Sequence, residues 1–116
     1  MNPWYSRPVL FVASVERALA FYVDRLGFTE RNRYEEDGIA LVGQVSREGC
    51  TILFTSQFPE KNGHGRIFIE LNQEELDTLR TELETRGAPI EQGWWGYETT
   101  IVRDPDGNEL FFPHPD

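Results

Sequence analysis

The chain has 116 residues, 39% hydrophobic and 27% charged, with Cys50 as its single cysteine and a net charge of −9. That length suits one domain, spanning residues 1–116, with a core that needs no disulfide or metal to hold it. A lone cysteine excludes a disulfide framework or a cysteine-rich metal cluster and suggests a reducing compartment, here the cytoplasm. The basic residues are scattered among more numerous carboxylates, so there is no stripe for nucleic acid. Such a field would instead draw in a cationic small molecule and keep the protein soluble. No apolar run approaches the roughly 18 residues of a membrane span, and the Met1 to Arg7 start lacks a signal-peptide core.

In chain order, residues 8–13 read as a short strand. Ser14 is an N-cap, and Val15, Ala18, Leu19, Tyr22 and Leu26 follow at helical spacing up to Gly27. Residues 28–34, 39–45 and 51–55 are rich in β-formers and separated by glycine turns. After a polar linker at 56–65 the order recurs. A strand at 66–71 is followed by Asn72, which with Glu75 forms a capping box. Leu76, Leu79 and Leu83 supply an apolar stripe, Gly87 ends the helix, and strands follow at 88–92, 97–103 and 108–112. Asp104, Pro105, Asp106 and Gly107 make the tight turn between the last two.

The fold class is therefore α+β, two βαβββ modules at 7–56 and 66–113 that form a half-open curved sheet with a cleft. Overlaying the modules at an offset of about 57 to 60 residues pairs Gly27 with Gly87 and Phe54 with Phe111. No nucleophile elbow or phosphate-binding loop is present, and Cys50, ahead of an apolar strand, reads as a small buried hydrophobe.

Three stretches resemble the vicinal oxygen chelate superfamily of glyoxalases, bleomycin-resistance proteins and dioxygenases. They are Pro8 to Val12 leading into Phe21, Tyr22, Leu26, Gly27 and Phe28; the Trp95–Gly96 pair; and the run from Asp104 to Asn108. The resemblance implies this fold and a homodimer whose clefts are lined from both chains. In the metal-dependent enzymes of that superfamily, ligands sit on the first and last strands of each module. Here those positions fall on Pro8 or Leu10, Phe54, Arg66 and Phe111, none of which can hold a divalent cation. No cofactor is expected.

Strand alternation places Arg66 and Phe68 in the cleft with Glu70, and it also points Phe54 and Phe111 inward, the latter beside Glu109. Trp95, Tyr97 and Thr99 border the same space. Phe54, Phe68 and Phe111 could equally pack on one another, and Arg66 could bridge to Glu109 or Glu70. The resulting expectation is a binding protein that sequesters a planar or cationic compound in an aromatic cleft without a metal. The alternatives are a metal-dependent lyase, isomerase or dioxygenase using Glu109 and His64 in a displaced site, and a scaffold whose cleft is collapsed.

Overall fold

The computed structural model describes residues 4–115, so Met1 to Pro3 and Asp116 lie outside it. The first half contains β1 (Val9–Phe11), α1 (Val15–Asp24), β2 (Thr29–Glu36), β3 (Ile39–Arg47) and β4 (Cys50–Thr55). The second contains β5 (Arg66–Phe68), α2 (Gln73–Thr85), β6 (Ile90–Trp94), β7 (Glu98–Arg103) and β8 (Glu109–Pro113), after a 3₁₀ turn at Pro59–Lys61. Each half forms a four-stranded sheet, ordered β1-β4-β3-β2 and β5-β8-β7-β6, in which the first and last strands run parallel.

Both helices start where their caps direct. The Ser14 hydroxyl accepts from the Arg17 N–H. The Asn72 side chain accepts from the Glu75 N–H while Glu75 accepts from the Asn72 N–H, which satisfies two donors that the first turn would otherwise leave open. Helix α1 lies directly on β3. A Cβ at Gly43 would come within 2.9 Å of Val15 and 3.0 Å of Leu19, so the close approach requires glycine there. Val15, Ala18, Leu19 and Tyr22 face a core shared with Val45, Ile52 and Phe54, and Leu76, Leu79, Leu83, Leu110 and Phe112 extend it through the second half.

The fifth strand is shorter than the sequence pattern predicts. It leaves the sheet after Phe68, although the Ile69 N–H still donates to the Phe111 carbonyl. The sixth begins and ends two residues late, which brings Trp94 into the strand and leaves Trp95 to Tyr97 as the turn.

The halves are fastened by the turn between β7 and β8. Asp104 accepts through Oδ1 from the N–H groups of Asp106 and Asn108, and through Oδ2 from the Tyr22 hydroxyl at 3.1 Å. Asp106 Oδ1 accepts from the Ala13 N–H at 2.9 Å and from Arg17 at 3.0 Å, at the start of α1. The wholly buried Asn108 accepts from the Gly65 N–H at 2.8 Å and donates to the Phe11 carbonyl at 3.2 Å and Asp104 Oδ2 at 3.0 Å. A second fastening lies near the helix ends. Arg47 bridges to Glu82 at 2.7 Å, and Arg25 donates to the Arg86 carbonyl at 2.9 Å. No helix of the described residues is long and apolar enough to cross a membrane.

Candidate functional site

Each sheet has a face covered by its helix and an open face opposite, and strand register decides which side chains reach the open one. In the second half β5 and β8 pair Arg66 with Glu109 and Phe68 with Phe111, while β7 sets Arg103 opposite Glu109 and Ile101 opposite Phe111. Directly opposed residues share a face, so these side chains form one surface, and Leu110 and Phe112 turn to the core.

Three rings meet there. Phe68 and Phe111 have centroids 5.3 Å apart, and Trp95 lies 5.1 Å from each. Phe111 is buried beneath the other two, which remain 44% (Phe68) and 47% (Trp95) exposed and present ring surface to whatever adjoins them. Beside the rings runs a charged ladder. Glu109 accepts from Arg66 at 2.9 Å and lies 2.9 Å from Arg103, which also pairs with Glu91 at 2.6 Å. Both carboxylate oxygens of Glu109 are thus engaged by guanidinium groups. Arg66 keeps a side chain that is 64% exposed.

Of the eight residues expected at the site, Arg66, Phe68, Trp95, Glu109 and Phe111 come together on this surface, and Arg66 bridges to Glu109. Thr99 shares the face but is wholly buried, its hydroxyl near the Tyr97 carbonyl. Tyr97 lies at the strand end, lining a small cavity with Glu70 and Pro113.

The expected orientation of Phe54 is corrected. It is wholly buried on the helix side, its ring 4.7 Å from that of Tyr22. Parallel register shows why: Phe11 pairs with Thr55 as Phe68 pairs with Phe111, so Thr55, not Phe54, is the counterpart of Phe111. Matching phenylalanine to phenylalanine shifted the overlay by one residue, which moves a strand residue to the opposite face. The same shift makes Val9, rather than Pro8 or Leu10, the counterpart of Arg66.

The first half's open face therefore carries Val9, Phe11, Leu53 and Thr55, with Gln44 opposite Leu53 and Val42 opposite Thr55. The linker partly covers it. Phe58 packs edge-on against Phe11 with centroids 5.7 Å apart, and the Lys61 ammonium sits over both rings. Gln44 accepts from Arg7 at 2.7 Å. Arg103 and this second surface escaped the sequence reading, although alternation forward from Thr99 and from Val9 could have located both.

The donor set on these faces does not suit a divalent metal. Valine, leucine, arginine and phenylalanine occupy the relevant places, Thr55 offers one neutral hydroxyl, and Glu109 is taken by two cations. Among the described residues no three of His, Cys, Asp and Glu converge.

With its two βαβββ halves and paired open faces, the chain belongs to the glyoxalase/bleomycin resistance protein/dioxygenase superfamily, whose model matches residues 4–112. Among solved structures it is similar to TnmS3, an antibiotic binding protein from Streptomyces sp. CB03234, at 21% identity over 100% of this chain and 99% of that one, with a TM-score of 0.75. A glyoxalase/bleomycin resistance protein from Catenulispora acidiphila is 23% identical over 96% and 97% of the two chains, with a TM-score of 0.75. A lactoylglutathione lyase from Agrobacterium tumefaciens is 18% identical over 98% and 96%, with a TM-score of 0.68. At these identities the likeness is one of fold. No curated protein matches the sequence.

Proposed function

We propose that this chain is a metal-free binding protein that captures a planar or cationic small molecule against the open face of its second half. The observation that carries this reading is the Phe68–Trp95–Phe111 cluster beside an arginine-clamped Glu109. Half-exposed rings are suited to stacking, each cation–ring contact being worth about 0.5–2 kcal/mol. The acidic surface speeds encounter with a cation. In this reading the domain spans 1–116 with modules at 7–56 and 66–113, and a second copy of the chain completes each cleft by bringing the open face of its first half over the rings. The similarity to an antibiotic binding protein makes antibiotics the first compounds to test.

Titration calorimetry across glycopeptide and planar aromatic antibiotics, repeated with Trp95→Ala, tests the reading. Saturable heat that weakens about tenfold in the variant is expected for one lost stacking contact. Absence of heat across the panel, or binding indifferent to Trp95, counts against it. Sedimentation of the same samples reports whether the chain pairs.

A further inference from the structure

A larger cavity lies away from the open faces. It is a half-open hollow of about 520 Å³ on the helix side, between α2, residues 69–72 that lead into it, and the β3–β4 hairpin of the first half. That volume falls in the range of about 300–1,000 Å³ common to small-molecule sites. Leu26 and Phe28 line it from one half, and Leu71, Leu79 and Phe112 from the other.

The charge lining it is mostly negative, four glutamates against the single cation of Arg47. Glu48, Glu70 and Glu74 all line the cavity with exposed side chains, and among the described residues none of them joins an ion pair. Arg47 is held in place by its hydrogen bonds and shares the Glu82 carboxylate with Arg86, so the glutamates outnumber it without cancelling it. Arg47 donates to the Leu26 carbonyl at 2.7 Å and to Glu82 Oε1 at 2.7 Å. Burial raises the pKa of the Cys50 thiol on the same wall, so it stays neutral at physiological pH. A mostly apolar hollow with carboxylates at its rim outnumbering one tethered guanidinium complements a molecule with an apolar body and a positive end. It disfavours an anion of the same shape.

We propose that this cavity is a second binding site, separate from the open face, for an amphiphilic amine whose apolar part lies among Leu26, Leu79 and Phe112 and whose ammonium meets Glu48, Glu70 and Glu74. Because the lining comes from both halves, a bound amine would clamp them together.

Decyltrimethylammonium, decyl sulfate and decanol, each below its micelle concentration, separate charge from chain length. Methyl resonances of Leu26, Leu71, Leu79 and Leu83 report on the cavity, and the indole resonance of Trp95 reports on the open face. The expected result is saturable leucine shifts with the amine bound about tenfold more tightly than the sulfate, the sum of a few weak surface charge contacts. The variant E48Q/E70Q/E74Q should reduce that preference to about twofold or less, again on the scale of single exposed pairs. Thr78→Trp, at an exposed helix position lining the cavity, should abolish binding of all three, and Trp95→Ala should leave it unchanged. Equal or tighter binding of the sulfate, shifts confined to Trp95, or no leucine shifts would overturn the second site, the last two without touching the open-face reading. The glutamine variant decides the matter even if the tryptophan variant does not fold.

Discussion

Replacing Asn108 by Asp tests the fastening between the halves. The amide nitrogen of this buried side chain donates to the Phe11 carbonyl and to Asp104 Oδ2, at 3.2 and 3.0 Å, while its oxygen accepts from Gly65. An aspartate keeps the acceptor but sets a second carboxylate oxygen against two acceptors. Two hydrogen bonds are lost and a buried like-charge pair is created, for an expected cost of about 3–5 kcal/mol at neutral pH. Burial already raises the pKa of Asp104, against the pull of its hydrogen bonds. A second carboxylate raises it further, so one proton is shared by the pair at mildly acidic pH and restores a donor. The sign follows from linkage. A carboxyl whose pKa is raised by folding adds most stability below its unfolded value and loses that contribution as pH rises through the folded value. Urea unfolding of Asn108→Asp and the parent chain at pH 7 and pH 5 should therefore show a gap that narrows on acidification. A gap below about 1 kcal/mol at pH 7, within the range of ordinary surface substitutions, or one unchanged by pH, would refute the reasoning.

Other substitutions separate core, seam and surface. Phe54→Ala should cost about 3–5 kcal/mol in urea unfolding, because the ring is wholly buried against Tyr22. Trp95→Ala should cost about 1 kcal/mol or less, as its ring is half in solvent. Gly27→Ala places a side chain at φ +73°, where its Cβ would come within 2.6 Å of Arg47 and 2.5 Å of Glu82. Thermal unfolding should register a loss of about 1–2 kcal/mol or more. The hydrogen bond from Arg47, aided by Arg86, holds the Glu82 carboxyl below its ordinary pKa of 4.5. Its contribution is present above that value and fades as pH falls through the lowered one. Glu82→Gln should thus flatten the acid limb of a stability profile by about 1 kcal/mol or less, as both partners are partly solvated.

The element order was legible because its signals are local. Ser14 and the Asn72–Glu75 box mark helix starts, and glycines at 27, 38, 49, 87 and 107 mark ends and reversals. Arg66, Phe68, Glu109 and Phe111 were legible through alternation along two short strands. Phe54 was not, since nothing local distinguishes a phenylalanine that fills the space under Tyr22 from one that lines an open face. Only pairing between β1 and β4 fixes its side. The run from Asp104 to Asn108 reads in sequence as a turn, but its bonds to Ala13, Tyr22 and Phe11 depend on how the halves dock. The cavity under α2 was equally hidden, because a helix stripe of three leucines reveals that a helix is buried and not how closely it sits on its sheet.

The two open faces have diverged in kind. One offers exposed rings and a neutralised row of charge; the other sets Phe11, capped by Phe58 and Lys61, among Val9, Leu53, Thr55 and the Gln44 amide. A pocket assembled from one of each has chemically unlike walls, so a guest between them would have a front and a back. It would enter in a single orientation even where two copies of the chain are related by symmetry.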